Sequence, residues 1–123
     1  MKKKPADASE LSQLTDEMLE LIGSRFRALG EPSRLKLLRV LLEGEKSVGQ
    51  LVESTQLSQA NTSRHLQTLT EVGILGRRKE GLNVVYFIAD ETIPELCRFV
   101  CTSVVRKHAE HSKAIGSLAY GKS

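Results

Sequence analysis

The stretch over residues 57–75 constrains this chain most, because it predicts a turn followed by a helix with two different faces. At ~100° per residue, one arc carries the side chains that would face a core. That inward arc comprises Thr62, His65, Leu66 and Leu69. The opposite arc carries amides, a hydroxyl, a guanidinium and a small residue: Gln59, Ala60, Ser63, Arg64 and Gln67. Such side chains let a helix approach DNA base edges and hydrogen-bond to them.

The residues on either side of this helix predict a winged helix-turn-helix. Residues 47–53 favour a short helix, residues 54–56 a turn, and Ser58 is a suitable N-cap for the helix that follows. The run at 84–88 is β-branched and aromatic, which is typical of a strand. With residues 74–79 and a tip at Gly81, it predicts a basic β-hairpin, or wing, directly after the helix. The second helix of such a motif enters the major groove of DNA.

The whole chain is expected to be mainly α-helical with a small β-hairpin, in one domain. We expect five helices, including one over residues 11–29, one over 33–42 and a last one from 92 to about 111. Residues 1–10 are interpreted as a disordered basic tail, 11–111 as a DNA-binding and dimerisation domain, and 112–123 as a flexible tail.

Composition excludes several other classes of protein. No segment approaches the ~18 apolar residues of a membrane span, and the lysines at the start are not followed by the apolar run of a signal peptide. We therefore expect a cytoplasmic protein with reduced thiols and no membrane partner. Neither a Gly-rich phosphate loop nor a nucleophile elbow is present, which argues against an enzyme. The net charge of +3 is modest, so the placement of the charges carries more information than their sum.

Three segments of the sequence resemble the ArsR/SmtB family of winged-helix repressors. They are FRALGEPSRLKLLRVLLEGEKSVGQLVE, LSQANTSRHLQTLTEVGIL and RRKEGLNVVYFIADE, and together they place the resemblance over roughly residues 24–100. The resemblance implies a dimeric repressor that leaves its DNA operator when an effector binds. It also implies that the first and last helices form the dimer interface.

The predicted DNA contacts fall into two groups. Gln59, Ser63, Arg64 and Gln67 are expected to read bases, Arg64 by a bidentate contact to guanine, with Ala60 permitting close approach and Asn61 nearer the backbone. Ser47, Arg77, Arg78, Lys79 and Asn83 are expected to hold phosphates or the minor groove. A simpler interpretation of the basic wing is a solvated edge strand. Relatives often carry an Arg near the wing tip, where this chain has Leu82. His65 is expected to be a hydrogen-bonded inward residue rather than a base contact.

The apolar stripes of the first and last helices exceed what a small core covers, which favours a twofold dimer. Two reading helices related by a twofold axis require an inverted-repeat operator in double-stranded DNA. The alternative function is a winged helix that contacts only other proteins, without DNA readout.

Cys97 and Cys101, spaced i and i+4 on the last helix, leave three interpretations open. In the first, both cysteines fill the dimer core as small hydrophobic residues. Alternatively, they sense thiol-reactive species or As(III). Arsenic-sensing relatives carry cysteines where this chain has Ser47 and Gly49, so that particular site is absent.

The third interpretation is a Zn(II) site made of Glu95, Cys97, His108 and His111, whose carboxylate, thiolate and imidazoles suit tetrahedral zinc. Their spacing is similar to that of the ligand pairs in the family's zinc sensors, whose sites bridge two subunits and take one ligand pair from either helix. Counted from Tyr86, however, the aligned positions are Asp90, Thr92, Ser103 and Arg106, which lack such ligands.

Overall fold

The structure, a computed structural model, describes residues 8–115. This part of the chain forms six helices and three strands. Their bounds are α1 Ala8–Ser12, α2 Asp16–Leu29, α3 Pro32–Leu41, β1 Lys46–Ser47, α4 Val48–Thr55, α5 Gln59–Glu71, β2 Leu75–Glu80, β3 Asn83–Ile88 and α6 Thr92–Ile115. The chain divides into two compact units, one up to Ala89 and one from Asp90 onward. The prediction of a mainly helical winged helix-turn-helix is confirmed.

The predicted first helix over residues 11–29 is interrupted. Thr15 has an extended backbone and caps α2, its Oγ1 accepting a hydrogen bond from the Met18 N–H at 3.2 Å. An N-cap residue with this conformation begins a new helix and cannot continue the preceding one. Residues 8–10, predicted to be tail, lie in α1, and the remainder of the predicted tail, 1–7, lies outside the described residues.

The last helix is longer than the sequence pattern suggested. It ends at Ile115, so residues 112–115 are helical rather than part of a flexible tail. No Gly or Pro occurs between His111 and Ile115, and the helix has no local reason to stop sooner. The rest of the predicted tail, 116–123, lies outside the described residues. Within residues 8–115, no helix is both long and apolar enough to cross a membrane.

The first unit has a core of aliphatic side chains contributed by α2 to α5 and the sheet. Those that are fully buried include Leu37, Leu51, Leu66, Leu69 and Ile74. α3 contacts α2, α4, α5 and β3, and α5 also contacts β2. α3 begins at Pro32, whose fixed φ and missing N–H suit the first turn of a helix. The core thus holds α5 with one face inward.

The helix-turn-helix consists of α4 and α5. α4 extends to Thr55, two residues beyond the predicted end, because the Thr55 hydroxyl donates to the Leu51 carbonyl at 2.7 Å inside the helix. The turn begins at Gln56, whose φ of 64° places it in the left-handed region. Ser58 then caps α5 as predicted, accepting from the Asn61 N–H at 3.1 Å.

The wing is an antiparallel hairpin with a third, short strand beside it. The sheet order is β1-β3-β2, and Arg77 pairs with Tyr86 while Arg78 pairs with Val85. Gly81 forms the tip with a φ of 64°, a conformation that glycine adopts without steric cost. β1 pairs with β3 through Lys46 and Ser47 and was not predicted. It ties the start of α4 to the wing.

Candidate nucleic-acid interface

The two faces of α5 lie as the sequence predicted. Thr62, Leu66 and Leu69 are fully buried. All five side chains of the opposite arc are exposed: Gln59, Ala60, Ser63, Arg64 and Gln67. We call this exposed surface of α5 the reading face. Its protruding groups are amides, a hydroxyl and a guanidinium, which are the donors and acceptors that distinguish base pairs in the major groove.

Two hydrogen bonds orient long side chains on α5. Arg64 Nη2 donates to Asn61 Oδ1 at 2.6 Å, and Gln67 Nε2 donates to Glu71 Oε2 at 3.2 Å. A guanidinium that has already lost part of its rotamer freedom needs less ordering when it binds a base. In this structure Asn61 therefore helps to position Arg64, while its side chain remains exposed.

His65 belongs to the inward side of α5, as predicted. Its side chain is only 12% exposed, and its Nδ1 lies 3.1 Å from Arg34 Nη1 on α3. Burial lowers the pKa of His65. The nearby Glu31 carboxylate opposes that change in pKa, and the cationic Arg34 and Arg64 reinforce it. The prediction of a hydrogen-bonded inward histidine is confirmed.

Ser47 stands at the N-terminus of α4. Its Oγ accepts from the Gln50 N–H at 3.2 Å, and the Gln50 side chain accepts from the Ser47 N–H at 2.9 Å, which completes a capping box. The hydroxyl hydrogen can still be donated outward. A helix N-terminus with such a donor is suited to an anion such as phosphate.

The two faces of the wing differ in what surrounds them. Side chains alternate along a strand, so Arg77 and Arg78 point to opposite sides of the sheet. Arg77 is on the side of α5, where its Nη1 donates to the Tyr86 hydroxyl at 3.4 Å. There it borders a cleft of about 570 Å³ lined by Ser63, Gln67, Thr70, Glu71, Arg77 and Tyr86. We call this side the helix-facing side of the wing.

Arg78 is held by two carboxylates on the other side, which we call the outer side. Its guanidinium donates through both terminal nitrogens to Glu45, with one contact at 3.0 Å, and also to Glu80 at 3.0 Å. These hydrogen bonds raise the pKa of Arg78, and the bond from Arg78 lowers the pKa of the Glu45 carboxyl. Of the predicted phosphate contacts, Arg78 is therefore already engaged within the protein.

The remaining predicted wing residues are exposed near the tip. Lys79 ends the basic run on β2, and Asn83 opens β3 beside the turn. Leu82 is completely exposed at the tip. The wing thus presents an exposed apolar side chain at its tip.

Sequence reasoning missed four residues that shape this surface. Tyr86, Thr70 and Glu71 line the cleft, and Glu45 neutralises Arg78. Tyr86 was detectable in principle, because strand alternation places it opposite Arg77 once the hairpin register is known. Glu45 carried no local signal, since its partner lies 33 residues away in the sequence.

α6 carries the cysteines and the predicted metal ligands. Cys97 is half-buried and Cys101 exposed, and burial, followed by the neighbouring Cys101, raises the pKa of the Cys97 thiol. Helical rise separates Cys97 from His108 by roughly 16 Å along the axis. Consistent with this, the described residues contain no cluster of three or more His, Cys, Asp or Glu side chains that could hold a metal ion. The predicted Zn(II) ligands therefore do not converge within one chain.

Most of the exposed large apolar side chains in the described part of the chain lie on α2 and α6. On α2 the exposed residues include Met18, Leu19, Leu21 and Phe26. On α6 they are Phe99, Val100, Val104 and Val105. On each of these helices, several exposed apolar side chains favour association with another protein.

Known proteins similar to this chain are regulators of transcription. Residues 31–76 match the family described as bacterial regulatory protein, arsR family. The chain is 38% identical over 71 residues to a probable mercury resistance operon repressor of Streptomyces lividans, a match covering 58% of this chain and 57% of that protein. It is 35% identical to a Staphylococcus aureus homolog of the cadmium resistance regulatory protein CadC, over 76% of this chain and 71% of that protein.

A solved structure supports the same relationship. It is the homodimeric winged helix-turn-helix DNA-binding domain of a possible ArsR-family transcriptional regulator from Mycobacterium bovis, with a TM-score of 0.69 and 29% identity. The match covers 81% of this chain and 94% of that one. With its reading face, wing and these relatives, the chain belongs to the ArsR family of DNA-binding winged helix-turn-helix transcriptional regulators.

Proposed function

We propose that the protein is a homodimeric repressor that binds an inverted-repeat operator in double-stranded DNA and is released by a small effector. The observation that carries the proposal is the reading face of α5, which is exposed, rich in hydrogen-bonding groups and flanked by the basic wing. A surface helix selected only for solubility would more often carry Lys and Glu.

The reading face supplies the base contacts. Arg64, oriented by Asn61, donates two hydrogen bonds to the O6 and N7 of guanine. Gln59, Ser63 and Gln67 hydrogen-bond to neighbouring base edges, and Ala60 leaves room for a thymine methyl group. Each of these contacts discriminates between bases, whereas contacts to phosphate do not.

The wing and the start of α4 supply the sequence-independent affinity. Ser47, Arg77, Lys79 and Asn83 hold phosphates, and Arg77 does so from the helix-facing side of the wing. Arg78 contributes less, because Glu45 and Glu80 already neutralise its charge. Affinity from phosphate contacts falls with rising salt, since binding releases counterions from DNA.

Dimerisation covers the exposed apolar residues of α2 and α6. Leu21 is 67% exposed and Phe99 69% exposed. Burial of such a side chain against a partner stabilises the complex by roughly 1.5–3 kcal/mol. A second copy of the chain is the partner favoured by the homodimeric M. bovis relative. Two reading helices then face successive major grooves, which requires an inverted repeat.

The effector is a thiol-reactive species or a soft metal or metalloid ion, acting at Cys97 and Cys101. Thiolates favour soft ions, and similar proteins are named for resistance to mercury and cadmium. The raised pKa of Cys97 means that most of this thiol is protonated at neutral pH, so that reaction requires its deprotonation. A Zn(II) site of Glu95, Cys97, His108 and His111 requires ligands from two chains, because they lie too far apart along one helix.

The test of DNA binding is fluorescence anisotropy with the protein's own promoter duplex and a scrambled duplex. We expect preference for the promoter and an affinity that falls steeply with salt. Arg64→Ala should cost about 1–3 kcal/mol on the promoter and flatten the preference. Arg39→Ala removes a cation from an exposed position on α3 and is the charge-matched control.

Equal affinity of the wild type for both duplexes would contradict base reading. No binding even at low salt would favour the alternative function, a winged helix that contacts only proteins.

The test of sensing is the double substitution Cys97→Ser with Cys101→Ser. We expect the variant to bind the promoter like the wild type but to remain bound when arsenite, zinc or a persulfide donor is added. If the variant is still released, the cysteines are packing residues and the effector acts elsewhere.

A further inference from the structure

The guanidinium of Arg34, on α3, connects the end of α2 to α5, which carries the reading face. Arg34 Nε donates to the Ala28 carbonyl at 2.6 Å, and its Nη2 donates to the Arg27 carbonyl at 3.4 Å. Both carbonyls belong to the last turn of α2, where helix carbonyls lack partners within the helix, and that of Arg27 also accepts from the Gly30 N–H at 3.2 Å. The third nitrogen, Nη1, lies 3.1 Å from His65 Nδ1 on α5. One planar group therefore contacts α2 and α5 together.

The chemistry of this contact defines the state of the imidazole. Every nitrogen of a guanidinium is a donor, so His65 Nδ1 must be the acceptor. The ring is therefore neutral, with its proton on Nε2, which lies 3.8 Å from Glu31 Oε1. A proton added to Nδ1 would set two donors against each other, and the contact would be lost.

The charged groups around His65 act in both directions. Glu31, at the N-cap of α3, favours the imidazolium, while Arg34 on α3 and Arg64 on α5 oppose it. Burial disfavours the charged form most strongly, and the net result is a pKa below the usual value. The unfolded chain therefore takes up the proton first as the pH falls below about 6.5. In the folded protein the contact persists below that pH and weakens only as the pH falls through the lowered pKa of His65.

We infer that Arg34 is a positioning residue that fixes α5 against the end of α2 through neutral His65. We call the contacts of Arg34 with the Ala28 and Arg27 carbonyls and with His65 the Arg34 joint, and selective operator binding depends on it. The inference rests on the proposed DNA-binding function. α2 carries one of the exposed apolar surfaces, and α5 carries the reading face. The Arg34 joint is one physical connection through which a displacement of α2 can reach the bases, beside the direct contacts between α2 and α5.

The experiment compares promoter and scrambled duplexes at about pH 8 and at the lower pH where NMR of the imidazole in the free protein shows His65 to be mostly protonated, which lies below the ordinary histidine pKa. For the wild type, the ratio of the two affinities should fall roughly tenfold at the lower pH, the scale of one hydrogen bond to a charged group. His65→Asn should retain a nearly constant ratio, because an amide oxygen near the Nδ1 position accepts from Arg34 at either pH. Arg34→Lys should show a low ratio at both, since one ammonium cannot span α2 and His65.

An independent readout does not involve DNA. Nitrogen-15 NMR of the imidazole in the free protein should show the neutral ring protonated on Nε2 at the higher pH. A ring protonated on Nδ1, an unchanged wild-type ratio at both pH values, or the same pH dependence in His65→Asn would overturn the inference. Loss of promoter preference at pH 8 with the expected NMR signal would instead sink the proposed function and leave the joint intact as a structural contact.

Discussion

The helix-facing and outer sides of the wing differ in chemistry although their key residues are adjacent in sequence. Arg77 borders a polar cleft beside α5 and has only a long hydrogen bond to Tyr86 at 3.4 Å. Arg78 is clamped between Glu45 and Glu80. A run of three basic residues therefore does not present three equivalent charges. The strand's alternation leaves one side open to the proposed DNA contact, while the other side holds the wing together.

The largest expected effect concerns the packing of the outer side. A Cβ at Gly76 would lie 2.6 Å from the ring of Phe87, its cross-strand partner. Gly76→Ala should therefore lower the free energy of unfolding by about 1–3 kcal/mol, as overpacking usually does. Urea unfolding measures this change. The control is Gly49→Ala, where the nearest atom to the new Cβ is 3.9 Å away, and equal stability of the two variants would contradict the tight contact.

The next effect is on the helix-facing side. Arg77→Ala should reduce the slope of log affinity against log salt by about one, since one phosphate contact is lost. The ratio of the DNA affinity at about 50 mM salt to that at about 200 mM should then be roughly threefold smaller than in the wild type. Binding to promoter and scrambled duplexes should weaken alike, because the contact does not read sequence. A change confined to the promoter would mean that Arg77 reads a base instead.

Arg78→Ala is the matched variant on the outer side and should leave the salt slope nearly unchanged. Its charge is already balanced by carboxylates, so few counterions are released through it. A slope reduced as much as in Arg77→Ala would remove the distinction between the two sides.

The smallest effect should come from Glu45→Gln. Freed from its main carboxylate partner, Arg78 can reach DNA, and affinity for any duplex should rise by less than about threefold, the value of at most one added contact. The salt slope should steepen slightly. Arg78 lowers the pKa of the Glu45 carboxyl, so this group takes up a proton only at a pH below its usual pKa. The wild type should therefore show the same gain in DNA affinity only at such an acidic pH. Weaker binding by Glu45→Gln would contradict the proposed restraint.

The features that could be predicted from the sequence are those that depend on residues close together in the chain. The faces of α5 follow from helical periodicity, and the caps at Ser58 and Pro32 follow from residues next to the helix they begin. The hairpin follows from β-branched residues around Gly81. Each depends on neighbours within a few positions, and a single sequence records those directly.

The features that escaped prediction depend on distant partners. Arg78 meets Glu45 across 33 residues, and Arg34 meets His65 across 31. β1 is only two residues long and pairs with a strand almost 40 positions later. The division of α1 from α2 was visible as Thr15, but an apolar stripe on both sides concealed it. No local pattern distinguishes Arg78 and Arg34, which make these distant contacts, from ordinary surface charges.

The central claim is that the outward side of α5 and the helix-facing side of the wing together contact DNA. The most direct measurement is amide NMR of the labelled protein titrated with its promoter duplex. We expect the largest shifts at residues 59–67 and around Arg77, with smaller ones around Arg78. Shifts concentrated on α2 or α6, with α5 unaffected, would contradict it.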